Sequence, residues 1–384
     1  MPRRLSVSDV RGGVRLLTDT TLGVTDVVEA MHATIARPMG RQTRTRGLTG
    51  WIYRIVRGTM RRVGRLIDFG LATADRGQPR TDSPAREAVV AALNGAFGDR
   101  MAAEGNPLAT SMHVRHEGKE LDLHALATPR STLLLQIHGI CMHDAQWGTP
   151  DHDPGAIWAD AIGATRLMLR YNSGRHISEN GRELAHQLES LLAAWPFPVE
   201  RLVVVGHSMG GLVARSAFSY LEQWPANTSL VTLGSPHHGA PLERLGNLVD
   251  VSLSATRYTG PLAALGHARS AGVTDLRFGS LRDEDWADRS RFARDGDARQ
   301  LVRLPLGVKV YAVAATLAGG DGGVRDQTIG DGLVPLDSAL GRHPTRDLGI
   351  LPARQWVATG RSHFDLLHQP EVTEKVLEWL IAGS

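Results

Sequence analysis

Leu202-Val203-Val204-Val205-Gly206-His207-Ser208-Met209-Gly210-Gly211 is the stretch on which the fold of this chain turns. Leu202 to Val205 are four consecutive apolar residues, as expected of a strand buried on both faces. They run directly into Gly206-His207-Ser208-Met209-Gly210, a G-x-S-x-G pentapeptide. From Leu212 the pattern becomes helical, with Leu212, Val213, Ser216, Ala217 and Tyr220 spaced by three and four. Strand, sharp turn and helix together make the pentapeptide a nucleophile elbow, with Ser208 as the expected nucleophile. The flanking glycines let strand and helix approach closely.

A neutral serine hydroxyl is a weak nucleophile, so Ser208 needs a base, an acid to orient that base, and donors for the developing oxyanion. Val308 to Ala315 reads as a core strand, and a Gly- and Asp-rich loop after it ends in Gly330-Asp331-Gly332-Leu333-Val334-Pro335. Gln355 to Ala358 is a further short strand, followed by Gly360-Arg361-Ser362-His363-Phe364-Asp365. His363 is therefore the expected base. Asp331 is the expected acid, its flanking glycines permitting a tight turn. Asp326 is the alternative acid, and Asp337 is assigned to capping a short helix from Ser338. For the oxyanion hole, one donor is the N–H of Met209. The second is the N–H of Ile140, because His138-Gly139-Ile140 follows the apolar strand Thr132 to Ile137.

These segments, together with Gly234-Ser235-Pro236-His237-His238-Gly239, resemble a serine esterase or lipase of the α/β-hydrolase superfamily. The nearest resemblance is to the bacterial lipase-like branch grouped with GPI inositol-deacylase-type hydrolases. It covers the chain from about Met112 to the C-terminus. The Ser, Asp, His chain order is the one the superfamily uses. The resemblance implies an α/β fold: a mostly parallel central sheet flanked by helices, with a helical cap opened by the Ser-Pro-His-His-Gly stretch. It implies cleavage of carboxylic esters through an acyl-serine intermediate. Acyl transfer or thioester cleavage would use the same residues. The reading from a different class is a non-catalytic protein of this fold that binds a lipid or a partner. Cys141-Met142-His143 departs from the small residues often found beside the hole.

Three regions are expected: a basic helical extension over 1–80, a linker and helix over 81–110, and the hydrolase domain over 111–384 with its cap at about 240–306. Within the last, Met112 to His116 and Leu121 to His124 are expected to pair as a hairpin around Glu117 to Glu120. Strands are expected near 132–137, 166–170, 201–205, 229–233, 308–315 and 355–358, with helices over 85–104 and 371–381. The first 75 residues carry 13 arginines against 6 acids, whereas the whole chain has a net charge of +3. Trp51, Ile52, Ile55, Val63, Leu66 and Ile67 form an apolar stripe there. Docking of that stripe on the hydrolase body is expected, and contact with anionic lipid is the other reading.

A single cysteine excludes an intramolecular disulfide. Met1-Pro2-Arg3-Arg4 is followed by polar sequence without the apolar core of a secretory leader, so a cytoplasmic enzyme, peripheral at most to a membrane, is expected. His138, His143, His237 and His238 lack zinc-ligand spacing, and Asp321, Asp326 and Asp331 lack that of an EF-hand, so no metal or cofactor is expected. The basic N-terminus lacks the interleaved aromatics of a nucleic-acid platform, leaving a small-molecule or lipid ester as the expected partner.

Overall fold

The structure is a computed structural model, described here for Gly12, 84–241, 269–287, 297, 299–318 and 330–383. The N-terminal stripe, Asp321, Asp326 and cap residues 242–268 and 288–296 lie outside the described residues. The chain divides into two compact units, Met1–Ser83 with Met101–Ala109, and Pro84–Arg100 with Thr110–Ser384. In the first, Asn106 Nδ2 donates to Gly12 O at 3.1 Å.

The second unit is built on one eight-stranded sheet. Its strands are β1 (His113–His116), β2 (Lys119–Glu120), β3 (Thr132–Ile137), β4 (Ala164–Arg170), β5 (Arg201–His207), β6 (Asn227–Leu233), β7 (Lys309–Thr316) and β8 (Gln355–Thr359). Their spatial order is β2-β1-β4-β3-β5-β6-β7-β8. From β4 to β8 all neighbours are parallel, while β1 runs antiparallel to both β2 and β4. Leu133, Leu134, Leu135, Ile137, Leu202, Val203 and Val205 are inaccessible to solvent, the pattern of strands covered by helices on both faces.

Around the sheet lie α1 (Pro84–Ala103), α2 (Pro154–Ala161), α3 (Ile177–Ala194), α4 (Met209–Phe218), α5 (Ala271–Asp275), α6 (Leu336–Ala339) and α7 (Pro370–Ala382). Helix α3 packs on α4, closely enough that a side chain at Gly181 would collide with Ser216 Oγ. Helix α2 packs on α7, where Trp158 Nε1 donates to Thr373 O at 2.9 Å.

Three local expectations change. The second hairpin strand is Lys119–Glu120, not 121–124, because Glu117 (φ 48°) and Gly118 (φ 75°) already make the two-residue reversal. Leu123–Ala125 is instead a 3-10 turn capped by Asp122. Helix α4 begins at Met209, directly after Ser208, rather than with the periodic pattern from Leu212. Asp337 is no cap: it sits inside α6, whose N-cap is Pro335.

Candidate active site

The chain passes from β3 outward to β4 and then returns across the sheet to β5 on the other side of β3. At such a switch the loops leaving neighbouring parallel strands diverge and open a crevice at their C-terminal ends. Ile140 leaves β3 there and Ser208 leaves β5. The loops after β7 and β8 bring Asp331 and His363 to the same edge of the sheet.

Ser208 has φ 52° and ψ −123°, a conformation that a side-chain-bearing residue adopts only under constraint. The constraint is visible. Its N–H donates to Leu233 O at 2.8 Å on the next strand, and the chain turns at once into α4. A Cβ at Gly206 would collide with Gly211 N, and one at Gly210 with Ile137 O. These glycines are obligatory because strand, helix and β3 touch backbone to backbone.

His363 and Asp331 are brought together in the interior. His363 Nδ1 lies 2.7 Å from Asp331 Oδ2, and both residues are buried. The other carboxylate oxygen accepts from Leu333 N at 2.9 Å and Val334 N at 2.8 Å. Asp331 is thereby fixed by its own turn, and its backbone carbonyl also accepts the His363 N–H at 3.1 Å. With Nδ1 donating to the carboxylate, Nε2 is left as the basic nitrogen. The His363 ring lies against Gly234, where an added Cβ would come 3.1 Å from both Cε1 and Nδ1. Gly234 directly follows Leu233, the residue that accepts the Ser208 N–H.

His207 backs the imidazole. Its ring centroid is 4.7 Å from that of His363, and its Nε2 donates to His363 O at 3.2 Å. Burial, then the proximity of His363, hold the pKa of His207 well below the usual histidine range, so it stays neutral. Phe364 covers another side of the His363 ring, edge to face at 5.7 Å between centroids.

The loop after β3 is pinned at three points. Tyr171 donates its hydroxyl to His138 O at 2.8 Å and stacks on the His138 ring at 4.4 Å. Cys141, at φ 59°, donates its N–H to Ser173 Oγ at 3.1 Å. Asp144 is buried and forms ion pairs with Arg115 and Arg170. Gly139 is close to Ser208, since a Cβ there would sit 3.1 Å from Ser208 Cβ. The N–H of Cys141 is committed to Ser173, whereas Ile140, between it and Gly139, is the residue expected to supply a donor. Ser173, Tyr171 and Asp144 carried no sequence signal as supports. The only hint was that 171–173 follow a neighbouring parallel strand.

The remaining histidines singled out in the sequence go elsewhere. Burial lowers the His138 pKa to about 4, and burial also lowers that of His143. His237 and His238 turn away from the catalytic edge toward Arg215 and Arg299. Among the described residues, no group of three His, Cys, Asp or Glu could hold a metal ion. Nor is any helix among them long and apolar enough to cross a membrane.

The sheet order and elbow are those of the α/β-hydrolase fold. Residues 172–291 match the PGAP1-like alpha/beta domain, a span that contains Ser208 but neither Ile140, Asp331 nor His363. Over 90 residues the chain is 34% identical to the GPI inositol-deacylase of Debaryomyces hansenii, a match covering 21% of this chain and 9% of that protein. Among solved structures it is similar to the mature Bacillus licheniformis lipase BlEst2, at 19% identity, 67% coverage of this chain, 95% of that chain and a TM-score of 0.42. It is also similar to the Paleococcus ferrophilus monoacylglycerol lipase, at 14% identity, with 72% and 100% coverage and a TM-score of 0.36.

Proposed function

We propose that this chain is a serine hydrolase that cleaves carboxylic esters of lipids or small molecules through an acyl-serine intermediate. The observation that carries this reading is a strained, positive-φ Ser208 and a buried His363–Asp331 pair on strand-end loops at the same edge of the sheet. A fold that only bound a ligand would have no use for that strain.

In the first half-reaction His363 Nε2 takes the Ser208 hydroxyl proton as Oγ attacks the ester carbonyl. Asp331 holds the ring orientation and stabilises the imidazolium without itself taking the proton. The negative charge on the carbonyl oxygen is met by the N–H groups of Met209 and Ile140, fixed before substrate arrives. His363 then gives its proton to the leaving alkoxide, and the alcohol departs. In the second half-reaction His363 activates water, which releases the acid and restores Ser208. An alcohol or thiol in place of that water gives acyl transfer with the same residues. Helix α5, one described segment of the expected cap, lies close to this edge, for a side chain at Gly272 would reach Ser173 O and the Met209 side chain.

Labelling with a fluorophosphonate probe, paired with hydrolysis of p-nitrophenyl esters graded by acyl length, tests the reading. Wild type is expected to label and turn over. Ser208→Ala should do neither, losing at least about 10⁴-fold in rate while its melting temperature stays close to wild type. Hydrolysis near the wild-type rate by Ser208→Ala would remove Ser208 from the mechanism. An unlabelled, inactive wild type would favour the non-catalytic binding protein.

A further inference from the structure

Helix α4, which begins at the nucleophile, carries a second feature seven residues on. Arg215 is 3% exposed and has no carboxylate partner among the described residues. Its Nη1 faces His237 Nδ1 at 3.2 Å, its Nη2 donates to Val302 O at 2.8 Å, and its Nε is buried with no partner. A buried guanidinium is normally held by an anion, because a cation out of water is costly until it is paired.

The histidines beside it cannot supply that charge. Arg215 donates to His237 Nδ1, so the His237 proton is on Nε2, which lies 3.2 Å from Thr232 Oγ1. Arg299 Nη2 is likewise 3.2 Å from His238 Nδ1, and His238 Nε2 donates to Gly341 O at 3.1 Å. Both rings are neutral acceptors for guanidinium groups. Burial also depresses their pKa values, that of His238 to about 4.

Arg215, Arg299 and Arg346 line one cavity of about 10 Å³ together with His237, His238 and Asp285. No described carboxylate nearby is paired with Arg215. Asp297 pairs with both Arg299 and Arg346, and Asp285 Oδ2 accepts the N–H groups of Leu281 and Arg282. Among the described residues, three guanidinium groups against two carboxylates leave one positive charge, and that charge sits at the buried Arg215. A cavity this small suits a monatomic ion better than phosphate, sulfate or a carboxylate.

We propose that this cavity is a binding site for a single monovalent halide ion of the chloride class, held by Arg215 and Arg299 beneath the Gly234–Gly239 loop. The ion completes the charge balance and supplies an acceptor for Arg215 Nε. It ties α4 to the loop whose first residue, Gly234, abuts the His363 ring. The site is independent of the esterase reading, and its test uses no activity.

The experiment has two arms on the full chain. Thermal melting is followed while sodium chloride replaces sodium gluconate at fixed ionic strength, so that screening is constant. The melting temperature should rise in a saturable way by at least about 2 °C, because a ligand of the native state stabilises by mass action. Arg215→Met and Arg299→Met should each lose the halide dependence. The second arm is a wild-type crystal grown in bromide, which decides even where the variants do not fold. A bromine anomalous peak is expected at hydrogen-bonding distance from Arg215 Nε. Equal melting in chloride and gluconate, or a crystal with water at that position and no bromine there, would overturn the proposal.

Discussion

Ser208, His363 and Asp331 are each held by a different physical device. Ser208 is set by backbone strain, His363 by ring contacts with His207 and Phe364, and Asp331 by two N–H groups of its own turn. The division gives separable effects. Asp331→Asn keeps the acceptor for Leu333 and Val334, so the turn should survive, but an amide cannot stabilise the imidazolium or enforce the tautomer. We expect kcat for ester hydrolysis to fall by about 10⁴, with KM changing little and the melting temperature close to wild type. Steady-state kinetics beside a thermal melt check this, and a large loss of stability with intact kcat would contradict it. Ser173→Ala acts differently. It deletes the hydrogen bond from the buried Cys141 N–H to Ser173 Oγ, a cost of about 0.5–1.5 kcal/mol, and loosens the loop that carries Ile140. Lower stability together with a fall in kcat larger than any change in KM is the expected result.

At the scale of elements, the β5–α4 elbow was the most legible part of the chain, because its demands fall on consecutive residues. The six parallel strands were legible for a similar reason: burial on both faces makes short unbroken apolar runs such as Leu202 to Val205. Less legible was anything fixed by atoms far apart in sequence. The hairpin register shifted because Glu117 adopts a positive φ that its residue type does not advertise. Helix α4 starts three residues early because Met209, Gly210 and Gly211 are helical through contact with β3 and β6, not through helix propensity. At the candidate site, strand-loop order was enough to single out the His363–Asp331 bond, whereas Tyr171, Ser173 and Asp144 act through contacts no spacing reveals. The acid could not be narrowed further by residue type, since Asp331 and Asp326 lie on one Gly-rich loop; the buried bond to His363 belongs to Asp331. Gly210→Ala tests the elbow as a packed junction. Alanine has excellent helix propensity, yet its methyl would collide with Ile137 O, so destabilisation of about 1–3 kcal/mol or more is expected in denaturant melts. A neutral or stabilising effect would mean that the helix and β3 are not in backbone contact.

The whole molecule carries a further consequence of burying its sites at the edge of a dense sheet: several histidines are enclosed as neutral groups. His138, with a pKa lowered to about 4, and His207 and His237, lowered well below the usual value, are shifted first of all by burial. Unfolding returns each to water and to an ordinary pKa of about 6.5. Above that pH all three are neutral in both states, and they contribute no pH dependence. Below it the unfolded chain binds protons that the native state refuses, so stability falls as pH falls. For His138 the loss runs from about pH 6.5 down to about pH 4, and for the other two it continues lower. Each such histidine costs about 1.4 kcal/mol per pH unit inside its window. Three acting together would remove a large share of the stability of an ordinary domain within two pH units. We therefore expect cooperative acid unfolding to begin below pH 6, with uptake of more than three protons per molecule, since burial depresses His143 and His238 as well, measured by melts across pH 4–8 or by potentiometric titration. His138→Gln should flatten the profile by removing one of these protons. It should do so even if its absolute stability is lower, because the slope reports proton uptake rather than packing. Unchanged stability from pH 7 to pH 5 would mean that these rings are not enclosed as neutral groups.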